Sequence, residues 1–281
     1  MGKRIISYNH LRGFEESLRE EEKSHATTDK YLRDVRSFRE FTGRRSVTRE
    51  LLVAYKQSLI EKGYAVRSIN SILASVNSLL RYLGWSECRV KSIRTQRQIY
   101  CPEEKELTRE EYLRLVDTSK RKGNERLHMI LQTICGTGIR VSELRFITVE
   151  AARRGEAVVT CKAKTRTVFI VNKLRQLLLR YAKRRNIKAG PIFVTRTGKA
   201  MNRTNIWREM KDLCEEAGVD PRKVFPHNLR HLFARTFYGI QKDISRLADV
   251  LGHSSIDTTR IYIVSTGFEH RRLLEQMRLV T

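Results

Sequence analysis

The sequence predicts a mainly α protein with one small β-hairpin: an N-terminal helical bundle followed by a larger α/β domain. Three observations lead there. Apolar residues recur at helical spacing through residues 1–85 and again from residue 107 onward. Between those stretches, residues 86–106 lose the periodicity and read as a linker. One pair of apolar, β-branched runs flanks a polar tip within residues 156–171. A length of 281 residues suits two domains.

In chain order, Thr27-Thr28 can cap a helix carrying Tyr31, Val35 and Phe38, with Gly43 just beyond it. A second helix follows Thr48, with Leu51, Leu52, Tyr55 and Leu59 facing inward. Ile69, Ile72, Leu73, Val76, Leu79, Leu80 and Leu83 then form one stripe, stopped at Gly84. The linker carries Arg89, Lys91, Arg94 and Arg97 with no acid among them, and Pro102 breaks it. Thr108-Arg109-Glu110-Glu111 fits a capping box that opens the second domain, residues 107–265. A helix with Leu127, Ile130, Leu131 and Ile134 runs into Gly136-Thr137-Gly138. Val158-Val159 and Val168-Phe169-Ile170 make the hairpin, and helices resume after Asn172, Thr204, Pro226 and His253. Residues 266–281 are a tail with Leu273, Leu274, Met277, Leu279 and Val280 spaced among charges.

Charge narrows the function. Lys+Arg is 56 against 31 Asp+Glu, a net +25, of which residues 1–100 hold +9 and the rest +16. Both domains therefore attract a polyanion, and nucleic acid is the expected partner. No apolar run is long enough to span a membrane, and residues 1–7 have no signal-peptide core. The five cysteines (Cys88, Cys101, Cys135, Cys161 and Cys214) are scattered without a C-x-x-C, which suits a reducing cytoplasm rather than a disulfide framework or a zinc ribbon, and a nucleic-acid-binding protein there is expected at the nucleoid.

Residues suited to a phosphodiester cluster late in the chain. Arg140 follows a glycine turn, with Glu143 three residues on. His227, Arg230 and His231 share one helical face in Pro226-His227-Asn228-Leu229-Arg230-His231. Gly252-His253 precedes Tyr262 by nine residues in LGHSSIDTTRIY. The histidine pair lacks the acid of a zinc motif, and no metal or other cofactor is expected. Each piece alone has a plain structural reading: a surface Arg, a packed His, a core Tyr. Their order and spacing together are specific.

GTGIRVSEL at 136–144, HNLRH at 227–231, LGHSSIDTTRIY at 251–262 and TTDKYLRDVRSF at 27–38 resemble the tyrosine recombinase (phage integrase) family over essentially the whole chain. The resemblance implies a helical core-binding domain in residues 1–85 and a catalytic domain of tyrosine recombinase type, closing as a clamp on duplex DNA. It further implies that Tyr262 attacks a DNA phosphate to form a 3′-phosphotyrosyl link. Arg140 and Arg230 then hold the phosphate, His227 acts as general base or orients the phosphate, and His253 hydrogen-bonds it. A hairpin lysine protonates the leaving 5′-hydroxyl; Lys162, four residues before Arg166, is favoured and Lys164 is the alternative. Glu143 and His231 support these groups. The expected assembly is a homotetramer on two double-stranded sites with inverted-repeat core sequences, with room for accessory DNA-bending proteins; the tail docks on a neighbouring protomer, the alternative being its own domain. One bundle fills the length ahead of the catalytic domain, so a separate arm-binding domain is not expected. A binding-only DNA protein and a type IB topoisomerase are the competing readings. The first is disfavoured because every catalytic position is filled, the second by the N-terminal bundle and the tail.

Overall fold

The computed structural model describes residues 3–94, 106–161, 164–195, 197–262 and 275–277. The chain divides into two compact units, Met1–Arg97 and Gln98–Thr281.

The first unit packs helices α1 (Tyr8–Glu20), α2 (His25–Thr42), α3 (Arg49–Glu61) and α4 (Val66–Tyr82). Its core joins Phe14, Leu18, Val35, Phe38, Leu52, Leu73, Val76 and Leu80, so each helix contributes a stripe that would otherwise face water. Thr48 caps α3 as its sequence predicts, accepting the Leu51 N–H. The start of α2 lies earlier than expected. Ser24 is the cap, and Thr28 is buried inside the helix. A helix starts at the first side chain able to satisfy its free N–H groups, and Ser24 precedes the Thr pair.

Residues 86–94, within the stretch read as a linker, are docked on α4. Asn77 and Asn70, two helical turns apart, each pair with one backbone unit of this segment. Asn77 donates to the Val90 carbonyl at 2.9 Å and accepts its N–H at 3.3 Å. Asn70 does the same for Ile93 at 2.9 and 2.8 Å. Val90 is buried and Ile93 half-buried against the bundle, while Arg89, Lys91 and Arg94 stay exposed. Arg97 lies outside the described residues.

The second unit opens at α5 (Arg109–Arg121), whose capping box of Thr108 and Glu111 forms as expected. It continues through α6 (Glu125–Thr137), a 3-10 turn at Val141–Phe146 and α7 (Val149–Arg154). Strands β1 (Glu156–Cys161) and β2 (Lys164–Phe169) pair antiparallel in a register running from Glu156 opposite Phe169 to Cys161 opposite Lys164. Then come α8 (Asn172–Arg184), α9 (Arg203–Lys211), α10 (Cys214–Ala217), α11 (Pro226–Gln241), α12 (Ile244–Leu251) and α13 (Ile256–Arg260). Leu127, Ile130, Leu131 and Ile134 of α6 anchor the core, and Val159, Val168, Leu178 and Phe193 close around them. No helix among the described residues is long and apolar enough to cross a membrane.

Candidate active site

The Arg140 corner follows from its local sequence. Helix α6 ends at Gly138, whose φ of +64° is costly for any residue with a Cβ, and a Cβ there would overlap the Phe233 ring. The chain then turns extended at Arg140 and enters the 3-10 turn. Glu143, three residues on, folds back to accept the Arg140 N–H at 2.9 Å and the Arg140 guanidinium at 2.9 Å. Its other neighbour is Arg166 of β2, at 2.7 Å. Glu143 is almost fully buried. That burial pushes its carboxyl upward, but the Arg140 N–H, the Arg166 charge and the Arg140 side chain together outweigh it and hold the group below the ordinary carboxylate range.

Arg230 is the largest fully buried side chain, at 1% exposure, and it has no carboxylate partner among the described residues. Two helix ends hold it instead. Nη1 donates to the carbonyl of Gly138 at the end of α6, and Nη2 donates to that of Leu251 at the end of α12, at 2.8 Å. Helix C-termini carry unpaired carbonyls and partial negative charge, so a guanidinium there is partly compensated. The Arg230 Nε finds no hydrogen-bond partner among the described residues. Burial, then the charge of Arg140, lowers the Arg230 pKa to about 10. It stays charged at neutral pH.

Arg166 makes a third cationic contact by donating to the Val250 carbonyl at 3.1 Å. It crosses directly over Gly252, where φ is +66° and a Cβ would overlap the Arg166 side chain. Gly252 is thus needed both for its backbone angle and for its bareness. Sequence reasoning used Arg166 only as a marker for the lysine. Its part in the site depends on β2 lying beside the end of α12, which no local pattern announces.

Tyr262 lies among these groups in its own chain. The i, i+3, i+4 spacing on α11 brings His227 and His231 to one face, and their ring centroids are 4.7 Å apart. The Tyr262 ring sits 4.3 Å from His231, 5.4 Å from His227 and 5.3 Å from His253, with the Arg230 guanidinium 5.9 Å from its centroid. Behind it are Ala234, Leu247 and Leu251. The three histidines are all pushed below the ordinary imidazole value of 6.5, burial being the largest cause each time. His231 falls to about 4, helped by His227 and Arg230. His253 falls to about 4, helped by Arg230, Arg140, Arg166 and His227. His227 is lowered by Arg230, Arg140 and Arg203 as well. The site therefore offers neutral imidazoles beside fixed guanidiniums, an arrangement suited to an oxyanion gaining charge.

Of the sequence-nominated residues, Arg140, Glu143, His227, Arg230, His231, His253 and Tyr262 meet here. Lys162 lies outside the described residues, and Lys164 is the first residue of β2. Arg89, Lys91 and Arg94 belong to the other unit. Thr259, not nominated, is fully buried against the site and hydrogen-bonds His253. No group of three or more His, Cys, Asp or Glu among the described residues is placed to hold a metal ion.

Comparison with known proteins gives concordant matches. The Phage integrase family matches residues 105–267, and the "Phage integrase, N-terminal SAM-like domain" matches residues 11–87. Tyrosine recombinase XerA of Pyrococcus furiosus is 30% identical over 229 residues, covering 78% of this chain and 77% of that protein. Two solved structures share the fold. The Tn1549 transposon integrase in complex with transposon right end DNA has a TM-score of 0.74 at 17% identity, covering 96% of this chain and 99% of that one. A lambda integrase tetramer bound to a Holliday junction has a TM-score of 0.72 at 17% identity, covering 91% and 76%.

Proposed function

Because the chain belongs to the phage integrase family, and so is a tyrosine site-specific recombinase that cleaves and rejoins DNA, we propose that Tyr262 is its nucleophile and that Arg140, Arg230, His227 and His253 form the phosphate site. The Tyr262 oxygen attacks the scissile phosphorus, its proton passing to the neutral His227 as the bond forms. The P–O5′ bond breaks and the 3′-phosphotyrosyl link conserves the phosphodiester for rejoining. Bidentate guanidiniums suit the two non-bridging oxygens. His227 and His253 add hydrogen bonds, with His231 packed behind the tyrosine. A hairpin lysine, Lys162 in preference to Lys164, gives a proton to the departing 5′-oxygen. Glu143 holds Arg140 in place.

One observation carries this reading: the Tyr262 ring packs against three imidazoles and faces the buried Arg230. A nicked suicide duplex tests it. The wild type should trap a covalent protein–DNA adduct, and Tyr262→Phe should trap none. An adduct persisting in Tyr262→Phe assigns the nucleophile elsewhere. Strand exchange between two sites, rather than relaxation of supercoils by a monomer, separates a recombinase from a type IB topoisomerase.

The proposed substrate is duplex DNA with inverted-repeat core sites, bound by a homotetramer spanning two sites, with accessory DNA-bending proteins where the sites require them. A cavity of about 390 Å³ on the catalytic unit offers a dock for the C-terminal tail, which we assign to a neighbouring protomer. Tyr112, Cys135, Leu174, Leu177, Phe233 and Phe237 line it, and the exposed Ile240 lies at its edge. Its apolar character matches Leu273, Leu274, Met277, Leu279 and Val280 in residues 266–281 of a neighbouring protomer.

A further inference from the structure

We propose that Thr259 is a positioning residue that lets His253 take either tautomer, its hydroxyl accepting from Nδ1 while Arg230 occupies Nε2, and donating to Nδ1 when Nε2 turns to the scissile phosphate. The inference rests on the assignment of His253 as a phosphate contact.

The geometry constrains where the proton lies. Arg230 Nη2 is 3.1 Å from His253 Nε2, and a guanidinium has no lone pair to offer. Nε2 must therefore accept. The ring is neutral, because burial and the charges of Arg230, Arg140 and Arg166 all oppose protonation. A neutral imidazole carries one proton, so it sits on Nδ1. Nδ1 is 2.8 Å from Thr259 Oγ1, which accepts it.

That state cannot donate to a phosphate oxygen through Nε2. To do so, the ring must lose its proton from Nδ1 and gain one at Nε2, an exchange with water that leaves its total unchanged. Nδ1 then becomes an acceptor and needs a donor. A hydroxyl serves both states by rotating about its C–O bond; a carboxylate or a carbonyl would serve only the first. Thr259 is fully buried, so water does not replace it. Its backbone carbonyl also accepts the Tyr262 N–H at 2.9 Å. One residue thus fixes the histidine through its side chain and the tyrosine segment through its main chain.

The test uses the full-length protein with a nicked suicide duplex, together with ¹⁵N NMR of the histidine rings. The free wild type should show His253 as the Nδ1–H tautomer, and Tyr262→Phe bound to intact site DNA should show Nε2–H. Thr259→Val should cleave about tenfold slower with unchanged DNA affinity and thermal stability close to wild type, and in the Tyr262→Phe background on intact site DNA its His253 should lose the pure Nε2–H signature. Thr259→Ser should restore both the rate and the signature. His253→Ala with Thr259→Val should be no slower than His253→Ala alone. Wild-type cleavage and an unaltered tautomer in Thr259→Val, with His253→Ala impaired, would overturn the inference alone. Normal cleavage in His253→Ala would instead overturn the assignment of His253.

Discussion

Arg230 concentrates the central physical problem of the site in one residue. Burying a guanidinium is expensive unless its donors are met, and here two helix ends meet its Nη1 and Nη2 groups instead of a carboxylate, while Nε has no partner among the described residues. A carboxylate would pair with the charge and blunt its pull on a phosphate; carbonyls satisfy hydrogen bonds and leave the positive charge intact. Arg230→Ala should therefore slow cleavage on the order of 10²–10³-fold, measured as single-turnover adduct formation. Glu143 plays the opposite part, pairing with Arg140 and Arg166 away from the tyrosine. Glu143→Ala removes the buried acceptor that Arg140 and Arg166 share and should destabilise the protein by about 1–3 kcal/mol in denaturant unfolding. His231 has its own signature. Unfolded, its imidazole takes up a proton near pH 6.5; folded, only near 4. The unfolded state thus binds more protons in that window. Stability is fully present above pH 6.5 and is lost as pH falls towards 4, by about 2 kcal/mol at pH 5. Thermal melts at pH 7.5 and pH 5 should show a smaller acid loss in His231→Phe than in wild type.

Among the elements, the end of α12 gathers the most. Its last carbonyls receive Arg166 from β2 and Arg230 from α11, and Gly252 lets the chain turn beneath the Arg166 side chain. Gly252→Ala meets both the positive φ and the arginine, and should lose about 1–3 kcal/mol. In the Arg166→Ala background only the backbone penalty remains, so the two changes should be less than additive in a double-mutant cycle. The Asn70 and Asn77 pairing on α4 is the corresponding device in the first unit. It holds residues 89–94 on the bundle, with their cationic side chains outward. Asn70→Ala with Asn77→Ala frees that segment and should weaken DNA binding without lowering the cleavage rate at saturating protein.

Across the whole molecule, positive charge is shared between two units, so affinity should depend on salt through contacts in both. Replacing Arg89, Lys91 and Arg94 with alanine should flatten the slope of log affinity against log salt by about 2–3, if each neutralises one phosphate. Deleting residues 268–281 should leave binding to a single site intact and abolish synapsis of two sites, read by native gel. Unchanged recombination after that deletion would rule out the tail's role in trans.

Much was legible before any coordinates. The stripe on α4, the Thr108 box, the hairpin and the spacing of His227, Arg230 and His231 are local patterns. Chain geometry over a few residues is enough to turn them into helices, strands and shared faces. The residues suited to phosphate chemistry were legible too, because few side chains can serve it and their order along the chain was distinctive. What the sequence could not supply was contact between segments distant along the chain. That Arg230 rests on the ends of α6 and α12, that Arg166 reaches Glu143 and passes over Gly252, and that Thr259 holds His253 were decided by packing. Such contacts join residues from six to over ninety positions apart, and only the closing of the core brings their elements within hydrogen-bonding reach.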